Sequence, residues 1–275
     1  MVDLVVLGSG TPNPDPDRAG ASVAVVDGDD WVLFDCGRGA TMRVIASELD
    51  LRAIAAVFIT HHHSDHLSDL ATLAVTRWVA GAEGPLHVVA PVGPAASYAR
   101  RCLDAFDDDC FRLQAAAASG LRPQLVVTDF DANADMTTVF DAHGWRVRAA
   151  LVDHHPVEPA VGYRVERQGA VVAVSGDTRV CDGMRALASG ADAIVHEALR
   201  TDRVSPRLLT WNASALSVGE LAATTQPRVL VLTHLIPAPT SPDDEAAYLA
   251  EVRAGGFAGR TVVARDLMRI TIDDR

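Results

Sequence analysis

Residues 59–66 read Ile59-Thr60-His61-His62-His63-Ser64-Asp65-His66. Four histidines and one aspartate fall within six residues, directly behind the apolar run Ala56–Ile59. Neutral imidazole nitrogens mixed with a hard carboxylate oxygen suit Zn, Mn or Fe. The bland alternatives are a solvated His-rich loop or a stray tag, but a tag sits at a terminus and carries no Asp. His61 and His63 stand at i and i+2 at the end of an extended run, which places both side chains on one side. Asp65 and His66 follow where a helical pattern begins. A strand end, a tight turn and a helix start can thus converge several donors on one point.

Two ions need more donors than this segment offers, and the chain repeats the device. Asp35 follows Trp31–Phe34, His154 and His155 follow Trp145–Leu151, Asp177 follows Val171–Val174, and His234 follows Val229–Leu232. One polar residue at a strand end is ordinary; an ordered series of them is not. The apolar runs are short and rich in β-branched residues, which reads as strands. The first three (Leu4–Leu7, Ser22–Val26 and Trp31–Phe34) form a meander, with a hairpin turned by Asp27-Gly28-Asp29-Asp30. One further strand is expected over Thr261–Ile270. Helical spacing predicts helices over Ala40–Leu49, Ser64–Val79, Ser97–Ala118, Met184–Ala188, Ala213–Thr224 and Pro242–Ala254. Ser64 or Asp65 is the expected N-cap of the second, and Pro242-Asp243-Asp244-Glu245 opens the last. With no internal repeat and no low-complexity linker, residues 1–275 are expected to form one α/β domain of two sheets with helices outside. The acidic, Ala-rich stretch 97–121 is the expected helical cap over one end.

Composition narrows the function classes. The 275 residues are 49% hydrophobic and carry a net charge of −12, enough apolar content for a large core. Gripping a phosphate backbone without regard to sequence needs clustered Lys and Arg, so this balance argues against nucleic acid as a partner. Cys36, Cys102, Cys110 and Cys181 form no CxxC pair, so neither a zinc finger nor a redox motif is present. The N-terminus lacks a basic region before a long apolar core, and no apolar run of membrane-spanning length occurs. A cytoplasmic protein with reduced thiols and no membrane contact is expected.

The ordered set of Asp35, His61-His62-His63-Ser64-Asp65-His66, His154, Asp177 and His234 resembles the metallo-β-lactamase superfamily. The resemblance spans nearly the whole chain and implies a four-layer αββα sandwich with metals at one edge of the two sheets. Carried over by residue, it puts one ion on His61, His63 and His154 and a second on Asp65, His66 and His234, with Asp177 bridging. Asp35 would orient ligands from behind. His155 is the alternative to His154; His154 is preferred because relatives place the ligand in an Asp/Glu-His pair before a Pro-containing loop, here Asp153-His154-His155-Pro156. His62 is read as a spacer.

Within the superfamily the chain resembles the branch of ribonuclease Z, small phosphodiesterases and arylsulfatase-like enzymes. The shared pieces are Leu7-Gly8-Ser9-Gly10-Thr11-Pro12-Asn13, Phe34-Asp35-Cys36-Gly37, Gly162-Tyr163-Arg164, Ser175-Gly176-Asp177-Thr178 and Ala193-Ile194-Val195-His196-Glu197-Ala198. Gly8-Ser9-Gly10 is read as a turn supporting the metal loops. The resemblance implies a two-metal hydrolase in which a water shared by the ions becomes the nucleophile. Zn is the expected metal, with Mn or Fe as alternatives. Asp65 is expected to be essential, and His196 and Glu197 are candidate general acids, against a purely structural role. The tRNA-processing members carry a His where Asn212 stands here. With the acidic cap, that departure favours a small phosphodiester, sulfate ester or related ester as substrate. The alternatives are a lactone or carboxyl ester, a tRNA 3′ end, or oxygen at iron. Trp78, Tyr98, Phe106 and Trp211 are candidate pocket walls, Arg164 and Arg179 are expected to be solvated, and a homodimer is left open.

Overall fold

The structure is a computed structural model describing residues 1–106 and 122–272. Two seven-stranded sheets face each other, in the orders β14-β1-β2-β3-β4-β5-β6 and β13-β12-β11-β10-β9-β8-β7. In the first sheet, β1 (Val2–Gly8), β2 (Ser22–Asp27) and β3 (Asp30–Phe34) make the expected meander, and β4 (Ile54–Phe58), β5 (Leu86–Pro91) and β6 (Leu125–Phe130) follow in parallel. In the second, β7 (Thr137–Ala142), β8 (Trp145–Leu151), β9 (Val161–Arg167) and β10 (Ala170–Val174) are antiparallel neighbours. There β11 (Ala193–Leu199), β12 (Val229–Ile236) and β13 (Arg260–Val263) then run parallel to β10. The last strand, β14 (Met268–Ile272), returns to pair with β1.

Strands buried on both faces need helices outside them. Helices α1 (Ala40–Ala46), α2 (Ser64–Leu67), α3 (Leu70–Val79) and α4 (Pro94–Arg101) follow strands of the first sheet. Among them Val44, Leu70, Leu73 and Ala96 pack on Leu7, Leu33 and Val57. Helices α5 (Asp182–Ala188), α6 (Ala215–Thr225) and α7 (Pro242–Ala254) cover the second sheet, where Leu187, Leu221 and Tyr248 join Ile194 and Leu230. Between the sheets lies a third apolar cluster containing Leu4, Phe34, Phe58, Trp145, Tyr163 and Val195. Phe34 stacks on Phe58 at 5.1 Å, and Tyr163 sits 5.5 Å from Phe58. The buried Tyr163 hydroxyl donates to the Ile59 carbonyl at 2.6 Å and so ties the second sheet to the first just beneath the His-rich segment. The layering is helix–sheet–sheet–helix, as expected.

Several local expectations need correction. The helix expected over Ser64–Val79 is two helices, α2 and α3, because Asp69 is engaged sideways. Its N–H donates to the Cys36 carbonyl at 3.0 Å, and its carboxylate accepts from Thr41 N at 2.7 Å. The N-cap of α2 is His63, not Ser64 or Asp65, and no side chain caps it. The expected strand Thr261–Ile270 breaks around Asp266 and serves both sheets. The helix expected from Ser97 begins at Pro94 and ends at Arg101, followed by a 3₁₀ turn over Asp104–Phe106; the rest of the expected cap lies outside the described residues. Arg164 is not solvated. It is 11% exposed and donates to the Leu187 and Ser189 carbonyls, holding the end of α5. Arg179 is 54% exposed but paired with Asp153. Helix α7 starts as its sequence indicates, with Ser241 accepting from Asp244 N at 3.2 Å and three acids in the first turn.

Candidate metal centre

The parallel strands of both sheets end at one edge, the place where open α/β sheets gather their functional groups. From the first sheet come Asp35 behind β3 and His61, His63, Asp65 and His66 behind β4. From the second come His154 behind β8, Asp177 behind β10, Glu197 on β11 and His234 on β12. His234 owes its position to a β-bulge. Glu197 pairs with Thr233 and Ala198 with Leu235, so His234 is the unpaired extra residue, at φ 47°. A bulge of this kind re-aims one side chain without ending the strand. Asp35 also sits at positive φ, 59°, a conformation that Asp tolerates better than most residues.

The donor atoms fall into groups. His61, His63, His154 and Asp177 have one ligand atom each within 4.8 Å of one another, and so do Asp65, His66 and His234. Asp177 joins the two. Its Oδ1 is 3.2 Å from His66 Nε2, and its Oδ2 is 3.5 Å from His234 Nε2 and 3.9 Å from His154 Nε2. Asp65 Oδ2 lies 3.2 Å from His234 Nε2 and 3.6 Å from His66 Nε2. The Nε2 atoms of His61 and His66 and the Oδ1 of Asp177 are buried without a hydrogen-bond partner. Buried polar atoms are rarely left this way, and a shared cation is the partner such a set fits.

Three of the rings are turned toward the group by a contact at the other nitrogen, the usual arrangement behind metal-binding histidines. His61 Nδ1 meets Thr60 Oγ1 at 3.0 Å, His66 Nδ1 meets Asp35 Oδ2 at 2.7 Å, and His154 Nδ1 meets the Trp211 carbonyl at 3.1 Å. Asp35 also accepts from Thr60 N at 2.8 Å and Thr60 Oγ1 at 2.9 Å. One carboxylate therefore steadies both ends of the His-rich turn.

Burial and charge set the protonation states. Burial, aided by repulsion from neighbouring imidazoles, pushes His61 and His63 down, which leaves them neutral. Burial opposes charge on His66 as well, but the Asp177 and Asp35 carboxylates overcome it and hold the ring above the usual imidazole range. Burial alone would raise Asp177; the His234 and His66 imidazoles outweigh it and hold the carboxyl well below its usual range. Glu197 goes the other way. Burial, then repulsion from Asp177, keeps its carboxyl protonated well above the ordinary value.

His155 is 76% exposed and faces Glu158, and His62 is half-buried with its ring 6.1 Å from that of His63; among the described residues neither belongs to a donor group. Glu197 shares a group with Asp177 and His234. Its Oε1 accepts from Thr178 N at 2.5 Å. His196 is buried, and its Nδ1 meets the Glu197 backbone carbonyl at 2.8 Å, so this contact links the ring to the main chain and not to the carboxyl. Asn212 is spent locally, its Nδ2 donating to the Leu208 carbonyl at 3.2 Å. The Trp211 carbonyl, a direct support of His154, is a contact that reading the sequence missed; backbone groups leave no compositional signal. A groove of about 880 Å³ opens beside His154, lined by Asp153, His155, Glu158, Arg179 and Thr210. Tyr98 and Phe106 line a separate groove of about 480 Å³ with Ser68, and Trp78 lines another cavity beside Arg77.

Comparison with known proteins agrees with this layout. Residues 30–235 match the family described as Beta-lactamase superfamily domain. The ribonuclease Z of Mycobacterium bovis (strain BCG / Pasteur 1173P2) is 37% identical over 286 residues, covering 100% of each chain. That of Mycobacterium marinum (strain ATCC BAA-535 / M) is 35% identical over 287 residues with the same full coverage. Among solved structures, human tRNase Z, short form, superposes with a TM-score of 0.75 at 23% identity, covering 99% of this chain and 100% of that one.

Proposed function

We propose, from the premise that the chain belongs to the metallo-β-lactamase superfamily and is a metal-dependent hydrolase of ester bonds, that it cleaves phosphodiester bonds in RNA as an endonuclease of the ribonuclease Z kind. The observation that carries this reading is the pair of donor groups sharing Asp177, in a chain that ribonuclease Z matches from end to end. The reading reverses the expectation, drawn from net charge and Asn212, that nucleic acid is not a partner.

The first group, His61, His63 and His154, and the second, Asp65, His66 and His234, would each hold a divalent ion, with Asp177 between them. An all-His/Asp donor set suits zinc. Ions bound there would activate water and neutralise charge developing on the phosphoryl oxygens. Thr60, Asp35 and the Trp211 carbonyl keep the His61, His66 and His154 rings aimed at the ions. Glu197, held protonated beside Asp177 and His234, is placed to give the Oε2 proton to the departing oxygen. His196, pushed down to about 4 by burial, stays neutral and has a packing role.

A small phosphodiester is the second reading, favoured by Asn212 in place of a titratable His and by the net charge of −12. The deciding experiment removes metal with a chelator, restores zinc or manganese, and offers four substrates: a tRNA precursor with a 3′ trailer, bis(p-nitrophenyl) phosphate, an aryl sulfate and a lactone. Metal-dependent internal cleavage of the precursor is expected. Turnover of the small diester alone would favour the second reading. Full activity without metal, or turnover of only sulfate or lactone, would refute both.

A further inference from the structure

Asp266, in the connection between β13 and β14, lies at the far end of the sequence from the His-rich turn. Its carboxylate is 6% exposed and accepts four hydrogen bonds: from Ser9 N at 2.9 Å, Ser9 Oγ at 2.8 Å, Ala19 N at 2.7 Å and Arg43 Nε at 2.8 Å. Arg18, itself buried, adds bonds to Ser9 Oγ at 2.8 Å and the Ala264 carbonyl at 3.0 Å. Neutralising the carboxylate would require Arg43 alone. The other three donors belong to the Gly8-Ser9-Gly10 turn and to Ala19, and Gly10 N is bonded to the Ala19 carbonyl at 2.8 Å. Asp266 therefore fixes two backbone segments against each other.

The next residue along, Gly20, meets the metal loop. A Cβ on Gly20 would lie 2.7 Å from the Asp65 carbonyl oxygen, and one on Gly37 would lie 2.0 Å from it. Gly20 N donates to the Arg38 carbonyl at 2.8 Å, Gly37 N to the Ala21 carbonyl at 3.1 Å, and Cys36 N to the His66 carbonyl at 2.7 Å. The backbones of residues 19–21 and 36–38 are thus wedged under Asp65 and His66, with no side chain between them to absorb a shift. The first group takes its support elsewhere, from Thr60 and Trp211.

We infer that Asp266 is a positioning residue for the second metal group: through Ala19, Gly20 and Gly37 it sets the height of Asp65 and His66 and leaves His61, His63 and His154 untouched. This rests on the ligand assignment proposed above. Asp266→Asn preserves shape but turns one acceptor into a donor facing N–H groups. The test is calorimetric titration of the metal-stripped full chain with zinc, and with cobalt, whose visible spectrum reports each coordination set. The expected result is a second ion bound at least about tenfold more weakly and a first ion within about threefold of the wild type, the range seen when groups behind metal ligands are altered. Arg43→Met, which removes one of the four donors, should shift the same ion by less. Arg269→Met, which breaks an exposed pair with Asp3 on the same strand pair, should shift neither.

Equal weakening of both ions in Asp266→Asn, or weakening of neither, overturns the inference. If that variant does not fold, an unchanged second ion in Arg43→Met overturns it instead. A wild-type chain that takes up fewer than two ions overturns the ligand assignment and this inference together. A wild type with two ions and an unaltered variant overturns the inference alone.

Discussion

Replacing Asp35 by Asn tests the metal reading through a tautomer. Asn tolerates the positive φ at this position, so the backbone can stay. The wild-type carboxylate only accepts, which obliges His66 to keep a proton on Nδ1, so that Nε2, facing Asp65 and Asp177, is the nitrogen that gives up its proton to a cation. An Asn oxygen placed to keep the bond from Thr60 N turns its amide NH₂ toward His66. Two donors then oppose each other unless the ring moves its proton to Nε2, and a protonated Nε2 cannot bind a cation. What is lost is one buried hydrogen bond to a charged group, about 1.5–3 kcal/mol, or roughly a 10- to 150-fold weaker second ion. Competition against a chelator of known affinity would measure both ions in Asp35→Asn. The first should weaken less, because His154 takes its support from Trp211 and only His61 reaches Asp35, indirectly through Thr60 Oγ1. A second ion bound as tightly as in the wild type would refute the tautomer argument. Equal weakening of both would mean that Asp35 acts on the whole turn.

Two other outcomes follow from packing and burial. In Gly37→Ala the new methyl meets only backbone, at 2.0 Å from the Asp65 oxygen and 2.6 Å from Gly20 C, so it should cost about 3 kcal/mol or more in urea unfolding; at Gly28, where a Cβ meets nothing within 4 Å but φ is +61°, Ala should cost only about 1–2 kcal/mol. His196 is neutral in the fold at about 4 and titrates near 6.5 when unfolded. The unfolded chain therefore binds the extra proton between those values, and the stability contribution is complete above the upper one and is lost as pH falls toward the lower. In metal-free protein the wild type should lose about 2 kcal/mol more than His196→Gln between about pH 7.5 and about pH 5, and an identical loss in both would refute the burial argument.

The architecture was legible because hydrophobic period and ligand placement reinforce each other. Runs such as Val171–Val174 and Val229–Leu232 are continuous, as doubly covered parallel strands must be, and each ends in a chemically distinctive residue. What escaped was decided by tertiary contact. The break between α2 and α3 depends on Asp69 bonding to Cys36 and Thr41, which local spacing does not encode. Strand β7 is half-exposed at a sheet edge and lacks an apolar run, although the two-residue turn His143-Gly144, both at positive φ, was a usable hairpin signal. The bulge that aims His234 was invisible for the same reason, since one extra residue in a strand leaves the composition unchanged. Chemistry-bearing residues at strand ends could be read directly; the supports behind them, such as the Trp211 carbonyl and Asp266, could not.

The Tyr163 hydroxyl on the Ile59 carbonyl marks the seam along which the two halves of the chain close. Asp35, His61, His63, Asp65 and His66 stand at strand ends of the first sheet, and His154, Asp177 and His234 at those of the second. Neither half alone holds either of the two groups to which an ion is assigned. Any cation seated there acts as a rivet between the halves, and its binding free energy adds to the work of prising them apart. The same atoms that would perform hydrolysis would then also report whether the molecule has finished folding, since a chain with its seam open has no second wall to complete either group.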